Sequence, residues 1–269
     1  RSLVDCPPLE QLLINLINFL SLPEKTEINL PETLAGKISC LTEYLRNYRC
    51  LLILDSVDSI LQSNTHAGNL KPGYENYEEL FKRLGESNHQ SCLLLTSREK
   101  IKQISSMEGV SLPVRCLSLN GLGESDCQEI IKAKGIVCSP NEAKGLIQRY
   151  AENPLAIKRA IATINDLFEG DVSEFLNQEI IGFGGVRELI DQHLNRLSEA
   201  ELQVIHWLAI NQDIKLTSSL PTEIIEAMSK AELIEVLESL NRRSLIYKSA
   251  GSFKLKDLFR DCLLYTSPS

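Results

Sequence analysis

An α/β region followed by an α region is the fold class that three observations predict. Two short, wholly apolar runs, RCLLIL (49–54) and SCLLLTS (91–97), alternate with helical patterns in the first part of the chain. Strand signals then stop near Gly121, and two short strand-like runs return only about Ala250 and Gly251. Short runs of this kind suit central strands of a parallel sheet, buried on both faces by crossover helices. Helix–strand–helix–strand is the order of a doubly wound α/β domain.

The elements follow in order. Leu9, Leu12, Leu13, Leu16 and Leu20 recur at helical spacing in LEQLLINLINFL. Asn15 and Asn18 break the apolar run and Glu10 flanks it, so it predicts an amphipathic helix and neither a signal peptide nor a membrane span. Leu34, Ile38, Leu41 and Leu45 predict a second helix, with Thr33 placed as its cap. RCLLIL predicts a strand that ends at Asp55. A polar loop from Ser63 to Gly73 leads to a third helix marked by Tyr77, Leu80, Phe81 and Leu84 and closed by Gly85. SCLLLTS repeats the strand signature, and VRCLSL (114–119) predicts a third strand.

Beyond Gly121, helices are predicted at 124–134, 140–150, 154–168 and 186–196. Ser198 and Glu201 have the spacing of a capping box ahead of LQVIHWLAI. Further helices are predicted from near Pro221 and over Lys230–Asn241, and RSLIYKS with GSFKLK reads as a hairpin. The organisation read from this pattern is an α/β domain over 1–121, a helical domain over 122–184 and a winged-helix domain over 185–264. The closing LLYTSPS has no periodicity, and 265–269 are read as a non-native tail.

Composition narrows the function classes. The 269 residues, 43% hydrophobic and 24% charged, suit two or three small globular domains. With 28 Lys and Arg against 36 Asp and Glu the formal charge is -8, which argues against a nucleic-acid groove. None of the eight cysteines forms a CxxC pair or has a His at metal-ligand spacing. Those in apolar runs read as small buried hydrophobes, and reduced thiols favour a cytoplasmic setting. His66, His89, His193 and His206 belong to no nucleophilic constellation, and His206 in LQVIHWLAI reads as a partly buried structural residue.

Three motifs carry chemistry. In LLILDSVDSIL, Asp55 stands at the tip of a buried parallel strand, where α/β folds bind ligands and where P-loop NTPases place the acid that holds magnesium. Asp58 is a second acid nearby; the alternative is that Asp55 simply starts a turn. In SCLLLTSREK, a strand ending in Thr96, Ser97 and Arg98 can aim a guanidinium across the same crevice toward a phosphate, or else lead into a solvated charged turn. In ENPLAIKRA, Pro154 suits the first turn of a helix, and the Pro154–Leu155–Ala156 edge can pack flat against a purine. TLAGKIS holds Gly36-Lys37 but has Ile38 where Ser or Thr belongs, Pro31 where the first Gly belongs, and no preceding strand. It is no phosphate-binding loop.

In this order the pieces resemble the NB-ARC family of signal-transducing ATPases, of the STAND class of P-loop NTPases and its bacterial type. Arg1-Ser2-Leu3 resembles the strand after the phosphate-loop helix, LLILDSVD the Walker B strand, LLLTSRE the sensor strand and ENPLAIK the GLPLA motif. Val114 to Leu122 resembles the family's hinge, SEAELQVIHWLAI through RRSLI its winged helix, and FKLKDLFRDC its MHD region, with Lys256 where the family has His. The resemblance implies a partial P-loop NTPase sheet and an ADP/ATP-operated switch. Asp55 and Asp58 would be catalytic, and Asp55 would hold Mg through water. Thr96, Ser97, Arg98, Pro154, Leu155 and Lys256 would bind nucleotide.

Three departures stand out. The phosphate loop is absent from the chain, Ser56 replaces the second acid of the plant pattern, and Lys256 replaces the phosphate-contacting His. The complete protein is therefore expected to be a slow ATPase switch with nucleotide, self-assembly and protein effectors as partners. This fragment is expected to bind nucleotide poorly. With a strand and helix missing, its sheet is expected to expose a core face. The rival reading is a non-enzymatic protein-interaction scaffold. In AELIEVLESLNRRSL, Glu232, Glu235 and Glu238 argue against contact with DNA.

Overall fold

The computed structural model describes residues 1–21, 29–178, 182–216 and 228–266. The chain forms two compact units, one of residues 1–117 with 242–244 and the other of 118–241 with 245–269.

Unit 1 contains α1 (Leu9–Ser21), α2 (Leu34–Asn47), β1 (Leu51–Leu54), a 3-10 turn (Val57–Ile60), α3 (Asn76–Glu86), β2 (Cys92–Leu95) and α4 (Lys102–Met107). The leucine stripe of α1 buries Leu9, Leu12, Leu13 and Leu16, and Ile17 joins them. Each such side chain contributes about 1.5–3 kcal/mol when fully buried. Thr33 caps α2, its hydroxyl accepting from the Gly36 N–H at 3.1 Å. Lys37 is buried, and its ammonium donates to Glu10 and to the Glu32 carbonyl, each at 2.9 Å. Lys37 of TLAGKIS thus ties α2 to Glu10 of α1.

β1 and β2 pair in parallel, with Leu51 opposite Cys92 and Leu54 opposite Leu95, and Ser2 bridges in parallel to Asp55 on the other side of β1. One face of this sheet packs on the core built by α1, α2 and α3, where Leu54 is fully buried. Successive side chains on a strand point to opposite faces. Leu51, Ile53 and Leu94 therefore share the other face, where they are 64%, 40% and 47% exposed. Burial on both faces, predicted from the unbroken apolar runs, does not hold: helices cover one side only among the described residues.

The third predicted strand also departs from expectation. Val114 makes one isolated bridge to Glu108, and residues 115–119 take no strand structure. Leu117 and Leu119 are 86% and 81% exposed. A strand forms only where a neighbour can complete its ladder, and beyond the single Glu108–Val114 bridge no described residue forms a β-bridge with this run. Gly85 does not close α3 but lies within its last turn, ahead of the C-cap Ser87. A Cβ there would lie 3.2 Å from Val114 and 3.3 Å from Met107, so the glycine admits a close neighbour. Cys92 is exposed and Cys50 half-buried, against the expectation for thiols in apolar runs.

Unit 2 contains α5 (Glu124–Ala133), α6 (Pro140–Arg149), α7 (Pro154–Leu167), α8 (Val172–Asn177), α9 (Gly184–Leu194), α10 (Glu199–Asn211), β3 (Asp213–Ile214), α11 (Lys230–Arg242), β4 (Ile246–Ser249), β5 (Ser252–Leu255) and α12 (Asp257–Thr266). One continuous apolar core runs from Cys127 and Ile131 through Ile157 and Val204 to Leu237 and Leu263. The stretches read as helical and winged-helix domains thus share a core. The hairpin turns at Ala250 and Gly251, both at positive φ (49° and 80°), as a tight two-residue loop requires. β3, too short to signal itself in sequence, completes an antiparallel sheet of order β3–β5–β4. The helix expected near Pro221 and residues 267–269 lie outside the described residues, while α12 continues to Thr266. His206 is exposed on α10 rather than partly buried.

Both capping boxes are complete: Ser139 with Glu142 on α6, and Ser198 with Glu201 on α10. Glu201 is fully buried, accepting from the Ser198 N–H at 2.8 Å and from the Ser239 hydroxyl at 2.6 Å. Ser198→Ala is expected to destabilise unit 2 by about 1 kcal/mol. A urea titration followed by circular dichroism checks this.

Candidate functional site

The parallel register delivers Asp55 and Thr96 side by side at the carboxyl ends of β1 and β2, the end at which open α/β sheets take ligands. The Thr96 hydroxyl donates to Asp55 Oδ1 at 2.5 Å and accepts from the Ser56 N–H at 3.0 Å. The Ser56 hydroxyl lies 3.4 Å from Asp55 Oδ2. Asp55, Thr96, Ser97 and Arg98 are all exposed. The Ser97 hydroxyl, however, turns back to donate to the Glu99 carbonyl at 2.6 Å.

Ser56 is left-handed (φ 61°, ψ 47°), a conformation that costs a non-glycine residue about 1–3 kcal/mol. That reversal starts the 3-10 turn and brings Asp58 back against the residues after β2. Asp58 is only 3% exposed; Oδ1 accepts from the Arg98 backbone N–H at 3.3 Å and Oδ2 from Arg98 Nε–H at 2.7 Å. The Arg98 side chain is 41% exposed.

Glu99 follows and is buried, accepting from Arg243 Nη1 at 3.0 Å and from the Gly68 N–H at 3.3 Å. Arg243 Nη2 donates to the Thr65 carbonyl at 2.7 Å. Gly68 (φ +86°) admits no side chain, because a Cβ would lie 2.5 Å from the Lys100 carbonyl oxygen. Sequence reading missed this cluster. SREK and NRRS look like solvated charged turns, and nothing local pairs residues 144 apart.

The other residues singled out in sequence lie in unit 2. Pro154 opens α7 as its first residue, half-buried, and Leu155 is 45% exposed. Asn153 caps this helix, its Oδ1 accepting from the Leu155 and Ala156 N–H groups, each at 3.0 Å. Lys256 stands between β5 and α12, where its carbonyl accepts from Phe259 at 3.0 Å. Its ammonium has no ion pair or hydrogen bond to any described residue, and burial lowers its pKa from the ordinary 10.5. A cation at the amino end of a helix also opposes the helix dipole.

The linkage sign follows from that lowered pKa. Between the folded value and 10.5 the unfolded chain binds more protons, so stability rises with pH through that window. Lys256→Met is expected to raise Tm at neutral pH and to flatten the alkaline rise, as thermal melts across pH will show.

An exposed carboxylate flanked by hydroxyls is a hard-oxygen set. It fits a magnesium ion that keeps most of its waters and takes its other ligands from phosphate. Asp55 with Thr96 offers that kind of partial site. No group of three or more His, Cys, Asp or Glu able to hold a metal forms among the described residues. No helix among them is long and apolar enough to cross a membrane.

The fold defines a class. Over 96% of this chain and 78% of that one, the structure superposes on the Walker-type ATPase of Pyrococcus abyssi with a TM-score of 0.61 at 12% identity. The chain thus shares the fold of that ATPase, with a small parallel sheet and a largely helical remainder. In sequence it is 44% identical over 257 residues to a WD repeat-containing protein of Nostoc sp. (strain PCC 7120), covering 94% of this chain. It spans 20% of that relative's length. No protein-family profile matches the chain.

Proposed function

We propose that this chain is the nucleotide-responsive part of an ADP/ATP-operated switch of the NB-ARC, STAND-class type. The observation that carries the reading is the exposed carboxylate of Asp55 bonded to the Thr96 hydroxyl at the carboxyl ends of β1 and β2, with the partly exposed guanidinium of Arg98 two residues beyond Thr96. The likeness to a Walker-type ATPase supports it at the level of fold.

In this reading Asp55 holds a water-coordinated magnesium and Arg98 meets a phosphate oxygen. Within unit 2, the half-buried Pro154 and the 45% exposed Leu155 at the start of α7 offer an apolar edge that suits a purine. Within unit 2, the Lys256 ammonium has no ion pair or hydrogen bond to any described residue and stands at a helix amino end, so an anion bound there relieves both its burial and its opposition to the helix dipole. Residues 185–264, with α10, α11 and the β3–β5–β4 sheet, are the winged-helix part, and 122–184 the helical part. A ligand shifts such a switch only by what it contributes differently in its two states. Arg98 is the group proposed to contribute it in unit 1. Self-assembly and protein effectors belong to the complete protein, and the setting is cytoplasmic.

Thermal unfolding of the gene product in full, with and without ADP, tests this. Saturating ADP, at about 100 times Kd, is expected to stabilise it by about 2.7 kcal/mol, and adenosine far less. Equal melts with ADP, with adenosine and with neither would overturn the reading.

The row Leu51, Ile53 and Leu94 favours a second reading, a non-enzymatic protein-interaction scaffold, since contiguous exposed apolar surface marks contact sites. Under it, Leu51→Lys abolishes association with a protein partner and nucleotide has no effect.

A further inference from the structure

The geometry points to Asp58 as the positioning residue for Arg98 and not as a base, an inference that rests on the nucleotide reading above. Both Asp58 oxygens face Arg98, one on the backbone N–H at 3.3 Å and one on Nε at 2.7 Å. The acid is 3% exposed, so neither oxygen is presented to an attacking water. A general base must come within hydrogen-bond reach of the proton it takes, and this carboxylate is turned the other way.

What Asp58 does to Arg98 is specific. It grips the guanidinium through Nε, the inner nitrogen, and so leaves the two outer nitrogens without a hydrogen bond or ion pair to any described residue. Those nitrogens form a fork that matches two oxygens of one phosphate. The side chain is held at one end and 41% exposed along its length. A free arginine loses rotamer freedom when it binds an anion, and one already held by a buried carboxylate has lost part of it beforehand. The paired carboxylate is close enough to soften the cation's pull on a phosphate, so its effect on affinity is the balance of orientation gained and charge offset. The buried, two-point grip favours orientation. The strained Ser56 fits the same account, because its left-handed turn carries Asp58 to this place.

Side-chain NMR on the 269-residue chain tests the proposal, with inorganic tripolyphosphate as the probe. Arg98→Lys deletes the Nε–Hε resonance and so assigns it. In the parent chain that resonance is expected to exchange slowly with water and to move on addition of tripolyphosphate. Asp58→Ala is expected to speed the exchange and weaken the tripolyphosphate response about tenfold, the loss of one oriented charge-assisted contact. Asp58→Asn, which keeps an acceptor for Nε, is expected to fall between the two, and it carries the test should the alanine variant fail to fold.

If both variants keep the parent's exchange rate and tripolyphosphate affinity, the positioning role is overturned while the nucleotide reading stands. If tripolyphosphate leaves the parent's Arg98 resonance unmoved, the fork is overturned. The nucleotide reading fails separately, when ADP leaves the melt of the gene product in full unchanged.

Discussion

Arg243→Ala is expected to destabilise unit 1 by about 3–5 kcal/mol, the range for breaking one side of a buried ion pair. The side chains of Arg243 and Glu99 are 4% and 1% exposed, and the bridge is 3.0 Å long. Removing the guanidinium leaves the Glu99 carboxylate buried with the Gly68 N–H at 3.3 Å, and takes a donor from the Thr65 carbonyl. A buried carboxylate that loses its guanidinium keeps its desolvation cost without the opposite charge that offset it. Urea denaturation of the 269-residue chain gives the magnitude. The companion double variant, Arg243→Met with Glu99→Leu, is expected to recover most of the loss, since replacing both charges by apolar groups leaves neither stranded. If the single variant costs under about 1 kcal/mol, the pair is solvated in solution and the account of this cluster is wrong.

Asp55→Asn has the largest effect expected on ligand binding. An acid that holds magnesium through water acts as an outer-shell partner, and losing such a partner costs about 10–100-fold in metal affinity or activity. In the gene product in full, Mg-ATP is therefore expected to bind or turn over about 10–100-fold less well, with ADP in the absence of Mg scarcely affected. The Mg dependence separates a metal role from a structural one. Asp55 also accepts from Thr96 at 2.5 Å, and Asn keeps an acceptor for that bond. Equal losses with and without Mg would mean that Asp55 only ties β1 to β2.

What the sequence made legible is what depends on neighbours in the chain. Thr33 sits three residues before the amide it caps, Ser198 and Glu201 bond to each other's backbone, and Ala250-Gly251 supplies the positive φ of its own turn. The positions of Asp55 and Thr96 at one end of the sheet were readable too. Both follow apolar runs, and parallel pairing brings run ends together.

What was illegible depends on partners elsewhere. RCLLIL is apolar throughout, but whether Leu51 and Ile53 are buried is decided by what covers that face, not by the run itself. VRCLSL has strand composition and no ladder to join. The place of Asp58 turns on the backbone of Ser56, a residue with no propensity for the left-handed conformation it adopts. The Glu99–Arg243 pair joins two segments 144 residues apart, each of which looks like an ordinary charged turn.

Isothermal titration of the gene product in full with ADP, repeated on Arg98→Ala, tests most directly whether Arg98 meets a phosphate of a bound nucleotide. Saturable binding that the substitution weakens by about tenfold or more, the loss of one charge-assisted phosphate contact, is the expected result. No binding in the parent, or binding that the substitution leaves unchanged, would contradict it.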